Sequence, residues 1–105
     1  MSDQLDVKPA HLALIKAILH THVPECPVWA FGSRITGTAK PYSDLDLAII
    51  TNTQLPLNVW AHLLDAFSES NLPFRVDLVD WSALSDAFKN IIESQHLVIN
   101  HTPAP

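Results

Sequence analysis

Gly32-Ser33, ten further residues, and then Asp44-Leu45-Asp46 are the positions whose types and spacing can do chemistry. The two aspartates head the run Asp-Leu-Asp-Leu-Ala-Ile-Ile, whose apolar residues predict a buried strand, and side chains two apart on a strand share one face. Two carboxylates pointing the same way repel each other unless a cation lies between them. Mg²⁺ suits such a pair, because it is a hard ion that takes oxygen ligands and keeps places open for phosphate oxygens. Upstream, Val28-Trp29-Ala30-Phe31 reads as a second short strand that runs straight into Gly32-Ser33-Arg34-Ile35. Glycine allows a sharp turn and lets a ligand approach the backbone. A short helix beginning near Ser33 would aim its first N–H groups and the positive end of its dipole at an anionic phosphate, with the serine hydroxyl as a further donor. Together these residues could support metal-assisted chemistry at a nucleotide phosphate.

The stretch from Phe31 to Ile50, read as Gly-Ser-x10-Asp-x-Asp, resembles the signature of the DNA polymerase β-like nucleotidyltransferases, and the whole chain resembles their shortest members, the minimal nucleotidyltransferases. The resemblance implies a nucleotidyltransferase fold, an α/β arrangement in which helices flank a small mixed sheet. It asks for a third carboxylate on a later strand, and Phe74-Arg75-Val76-Asp77-Leu78-Val79-Asp80 contains one. There Phe74, Val76 and Leu78 alternate to one side, with Arg75, Asp77 and Val79 on the other. By resemblance Asp77 is the third catalytic acid. It would bind the metal nearest the attacking oxygen or take that oxygen's proton. Asp80, at the strand end before Trp81, reads as a turn residue or helix cap.

The implied reaction is attack of a hydroxyl oxygen on the α-phosphorus of a nucleoside triphosphate, with pyrophosphate leaving. Two Mg²⁺ ions roughly 3.5–4 Å apart would stabilise both oxygens. Asp44 and Asp46 would bridge the ions and Asp77 would complete the metal site. Gly32 and Ser33 would bind the triphosphate of ATP. Members of the family pair with an all-helical HEPN-type ribonuclease toxin, so the resemblance also implies an antitoxin that transfers AMP to a tyrosine of that partner. Two other readings compete with it. One is a non-catalytic binding module that neutralises the partner by covering it, and the other is an enzyme that adenylylates a small molecule.

The elements that must position these residues follow from periodicity. Asp6 through Thr21 predicts a first helix with Pro9 in its opening turn, Leu12, Ile15 and Leu19 on one line and Leu14 and Ile18 on a second. So wide an apolar face fits a core helix, or one covered by the sheet on one side and by another protein on the other. The strand Leu45–Ile50 leads through a polar connection to a helix from about Leu57 to Ser70, with a core stripe of Leu57, Trp60, Leu64 and Phe67. The strand Phe74–Val79 follows. Ser85 can cap a last helix carrying Phe88, Ile91 and Ile92. Leu97-Val98-Ile99 reads as an edge strand or a docking segment, and residues 100–105 as a frayed tail.

With 105 residues the chain is expected to form one nucleotidyltransferase domain, burying roughly 60–70% of the surface of its unfolded form. Six basic and 11 acidic residues give a formal charge of −5, which argues against direct binding of a nucleic acid. Arg34, Lys40 and Arg75 supply local positive charge for a single triphosphate. Arg34 and Lys40 could equally be solvated loop residues, and Arg75 could simply pair with Asp77. Cys26, the lone cysteine, can form no intrachain disulfide. With no signal peptide and no membrane helix in the sequence, the expected location is cytoplasmic. His11, His20, His22, His62, His96 and His101 are scattered, which disfavours a histidine metal site. Tyr42 could pack on a base, be self-modified, or brace its turn.

Overall fold

The computed structural model describes residues 5–40 and 43–99, so the expectations for Tyr42 and for the frayed tail lie outside the described residues. Its elements are α1 (Pro9–His22), β1 (Val28–Phe31), α2 (Ser33–Thr36), β2 (Leu45–Ile49), α3 (Leu57–Ser68), β3 (Val76–Asp80), a 3₁₀ turn (Trp81–Ala83), α4 (Asp86–Ser94) and β4 (Leu97–Ile99). The strands form one sheet in the order β3-β2-β1-β4. β1 runs antiparallel to both β2 and β4, whereas β2 and β3 are parallel and joined through α3. This is the mixed sheet with helices that the sequence predicts. Leu97–Ile99 is an edge strand, pairing with β1 from Val28↔Ile99 to Ala30↔Leu97.

Alternation along the strands builds the core. Val28 and Ala30 of β1, Leu45, Leu47 and Ile49 of β2, Leu78 of β3 and Ile99 of β4 are buried with Ile15 and Leu19 of α1 and Leu63 and Phe67 of α3. Each large side chain buried in this way contributes roughly 1.5–3 kcal/mol. Such a core holds the strand register, and the register decides which polar side chains become neighbours on the opposite face.

The helices differ from their predicted bounds and faces for identifiable reasons. α1 starts at Pro9, not Asp6, because the residue before a proline is driven to extended backbone, as Lys8 is at φ −61° and ψ 147°. The lead-in is held elsewhere, its Asp6 N–H donating to the Arg34 carbonyl at 2.8 Å. In α3 the predicted stripe is rotated. Leu63 is fully buried, whereas Leu57 is 78% exposed and Leu64 is also exposed, so the core line runs through Trp60, Leu63 and Phe67. At about 100° per residue Leu57 and Leu64 fall at one margin of that line. Ile91 of α4, expected beside Phe88 and Ile92, is likewise 63% exposed while Ile92 is buried.

The second face of the sheet carries Trp29 and Phe31. Phe31 meets Phe88 of α4 edge-on at 5.8 Å between centroids. Trp29 stacks on His96 at 4.0 Å and meets Trp81 edge-on at 5.3 Å. Ser85 caps α4, accepting from the Phe88 N–H as the sequence predicts. Asp80 is the predicted cap as well: it accepts from the Ser82 N–H at 3.0 Å, from the Ser82 hydroxyl at 2.7 Å and from the Leu55 N–H at 3.0 Å, and it also bonds Thr51. Partial burial works against its ionised form. The hydrogen bonds from Thr51, Leu55 and Ser82 outweigh burial and hold its carboxyl below the ordinary carboxylate range. Asp80 thereby ties the end of β3 to the connection that follows β2.

Candidate active site

The candidate residues gather at one end of the sheet, where β1 ends and β2 and β3 begin. In the antiparallel ladder Phe31 lies opposite Asp46, so Gly32 and Ser33 emerge beside that carboxylate. In the parallel ladder Asp46 lies beside Asp77. Asp44 immediately precedes β2, two residues from Asp46, with the fully buried Leu45 between them. The alternation read from the sequence therefore holds: Leu45 and Leu47 point into the core while Asp46 remains partly exposed.

Gly32 is the tightest point of this arrangement. Its backbone adopts φ 85° and ψ −158°, a conformation essentially confined to glycine. A β-carbon built on it would stand 2.3 Å from Asp46 Oδ2, so the missing side chain is what lets this turn lie against the carboxylate. Ser33 follows as the first residue of the four-residue α2, half-buried at the mouth of the site. The Ile35 N–H closes the turn on the Gly32 carbonyl at 3.1 Å.

The electrostatics match the crowding of like charges. Burial pushes Asp46 up from the usual carboxylate value to about 6; the charges of Asp77 and Asp44 add to the rise and Arg75 opposes it. Arg75 pairs with Asp44, its Nη2 at 2.9 Å from Oδ2, and not with Asp77 as one reading of the sequence supposed. Register is the reason. Because Leu45 pairs with Val76, the residues before them, Asp44 and Arg75, become cross-strand neighbours. The Leu45 N–H donates to the Arg75 carbonyl at 2.9 Å and fixes this alignment.

Among the described residues, no three His, Cys, Asp or Glu side chains stand close enough to ligate one ion as they are arranged. The donor set nonetheless fits a hard divalent cation in its chemistry. It offers carboxylate oxygens from neighbouring strand positions, and a cation there would offset both the burial that lifts Asp46 and the repulsion from Asp77 and Asp44 that adds to it.

Arg34 corrects the sequence reading in another way. It is neither solvated nor directed at a phosphate, since it is only 6% exposed. Its Nε and Nη2 donate to the Ser43 carbonyl at 3.0 and 2.8 Å, and Nη1 donates to the Asp6 carbonyl at 2.8 Å. The guanidinium also lies 4.2 Å over the Phe74 ring. This fork anchors the residue just before Asp44 and joins three segments distant in sequence. No periodic pattern signals such a role, because the acceptors are backbone carbonyls of irregular chain. Arg34→Ala is expected to cost about 2–4 kcal/mol in urea unfolding, by removing a buried guanidinium and its part-buried hydrogen bonds to the Asp6 and Ser43 carbonyls. Arg34→Lys should recover only part, because an ammonium cannot reproduce the fork. Lys40 is exposed, in agreement with a solvated loop residue.

Residues 14–103 match the family model for polymerase beta nucleotidyltransferases. The chain is 53% identical over 96 residues to a probable protein adenylyltransferase, MntA, of Haemophilus influenzae, covering 91% of this chain and 84% of that one. Its fold is similar to a chain in the crystal structure of a toxin-antitoxin with AMP-PNP, with a TM-score of 0.71 and 25% identity, covering 87% of this chain and 73% of the other. It is also similar to a chain in the structure of a tri-AMPylated Shewanella oneidensis HEPN toxin in complex with its MNT antitoxin, with a TM-score of 0.64 and 24% identity over 89% of this chain and 71% of that one. The acidic pair beside a glycine turn, the mixed sheet that carries them and the match over most of the sequence lead to one assignment: the chain belongs to the polymerase beta nucleotidyltransferase family.

Proposed function

We propose that this chain works as a single nucleotidyltransferase domain that moves AMP from ATP to a protein hydroxyl, a tyrosine of a HEPN-type toxin, and that it thereby acts as an antitoxin. The observation that carries the reading is the cross-strand neighbourhood of Asp46 and Asp77, with the glycine turn packed against Asp46. Its direction toward a protein acceptor rests on the similarity to a probable protein adenylyltransferase and to structures of toxin-antitoxin complexes.

In this mechanism Gly32 and Ser33 bind the triphosphate, the turn through its backbone and Ser33 through its hydroxyl. Asp44, Asp46 and Asp77 would hold Mg²⁺. When bound, Mg²⁺ supplies positive charge against the attacking and leaving oxygens. Asp77 is exposed on the edge strand β3 and so faces an incoming acceptor; it orients the acceptor hydroxyl and takes its proton. The bond from the acceptor oxygen to the α-phosphorus forms, the α–β phosphoanhydride breaks, and pyrophosphate leaves. Among the described residues no helix is long and apolar enough to cross a membrane. The reading sets the protein in the cytoplasm, where Cys26 remains a thiol.

The test is incubation with labelled ATP, Mg²⁺ and the product of the adjacent reading frame, expected by resemblance to be an all-helical HEPN-type protein. Label is expected to enter that protein and to be lost with Asp44→Ala or Asp46→Ala in folded variants. Inhibition of the partner that survives both substitutions, with no label incorporated, would overturn the enzyme in favour of a binding module.

A further inference from the structure

Two arginines flank the acidic site, and they are held in opposite ways. Arg34 is buried and clamped by backbone carbonyls. The Arg75 side chain is 76% exposed, and its one described polar partner is Asp44, which is itself 40% exposed. On the site face the parallel register produces two successive rungs, Asp44 beside Arg75 and Asp46 beside Asp77. Three carboxylates thus share one guanidinium, whose long stem leaves it free to swing into solvent.

We propose that Arg75 is a positioning residue that acts as a resident counter-ion: it holds Asp44 in the nucleotide-free protein, yields that carboxylate to the divalent cation, and then pairs with the triphosphate. The proposal deepens the nucleotidyltransferase reading and rests on it. A guanidinium at 2.9 Å from Asp44 competes with a divalent ion for the same oxygen and repels it as a like charge. Once displaced, the fork remains at the rim and can form paired hydrogen bonds to phosphate oxygens. Arg75 therefore opposes metal binding before nucleotide arrives and favours nucleotide binding afterwards.

These two effects have opposite signs, which a merely structural role would not produce. Free Mn²⁺ can be followed by electron paramagnetic resonance as it binds nucleotide-free protein, and ATP binding can be measured by calorimetry with Mg²⁺ present. Arg75→Gln is expected to tighten Mn²⁺ binding by about threefold to tenfold, the worth of one charge beside a dication in a water-like dielectric. The same variant should weaken ATP binding several-fold, and Arg75→Lys should restore the effect on Mn²⁺, which needs only the charge, but only part of the ATP binding, which uses the fork. Unchanged or weaker Mn²⁺ binding in a folded Arg75→Gln protein overturns the counter-ion role. Mn²⁺ binding by the wild type that disappears in Asp46→Asn but ignores Arg75 sinks only this inference. Failure of both the wild type and Arg75→Gln to bind Mn²⁺ without nucleotide likewise overturns the counter-ion role, whereas the nucleotidyltransferase reading stands or falls separately on label transfer with Mg²⁺ and ATP.

Discussion

Asp46→Asn is expected to reduce nucleotidyl transfer by about 10³-fold or more while making the folded chain more stable above about pH 6. Loss of activity follows from removing a carboxylate that the mechanism needs charged. The gain in stability follows from the sign of its pKa shift. The folded-state value is raised from 3.8 to about 6, so between those values the native protein binds a proton that the unfolded chain has released. The stability associated with protonated Asp46 is complete below pH 3.8 and is lost as the pH rises through about 6. Above that point the native state carries a partly buried carboxylate that also has like charges beside it, and the neutral amide relieves both costs. A shift of about two units corresponds to about 3 kcal/mol at most, but Asp46 is half-exposed and solvent screening brings the expected gain to about 1 kcal/mol. Urea unfolding at pH 8 should show this gain and unfolding near pH 4 should not. An Asn variant less stable than wild type at pH 8 would contradict the account.

Gly32→Ala is the second change with a large expected effect. A methyl group at this position meets Asp46 Oδ2 at 2.3 Å and must also accept a φ of 85° that an L side chain rarely adopts. The backbone strain costs of order 1–3 kcal/mol, and displacing Asp46 should remove most of the transferase activity. Gly37→Ala is a built-in control. Its φ of 84° is equally positive, but nothing lies within 4 Å of the added carbon, so it should cost about 1 kcal/mol and spare activity. The steric term can be isolated in a double-mutant cycle. Combining Gly32→Ala with Asp46→Ala should cost clearly less stability than the sum of the two, because the second change removes the atoms that the first one strikes. Strict additivity in chemical denaturation would show that the glycine is there for its backbone alone.

Much of this site is readable from local pattern. The apolar alternation that buries Leu45 and Leu47 turns Asp46 to the other face, and the same argument on Phe74–Val79 sets Asp77 outward from β3. Ser85 and Asp80 are found as caps by their chemistry and position. The faces of α3 and α4 are read less well. A stripe through Leu57, Trp60, Leu64 and Phe67 satisfies the helical period as well as the true one through Trp60, Leu63 and Phe67. The choice between them depends on where the sheet lies, which the helix itself does not encode.

Local sequence therefore determined the strands, the glycine turn and the direction in which each aspartate points, because these depend on periods of two or on the backbone freedom of one residue. Only the tertiary structure decided which charges meet. Asp46 stands beside Asp77, and Asp44 beside Arg75, because a parallel register is set across an intervening helix by the packing of Leu45, Leu47, Ile49 and Leu78 into one core. Arg34 turned inward for a related reason: the carbonyls it serves, at Asp6 and Ser43, are remote in sequence and converge on it only once the chain has folded.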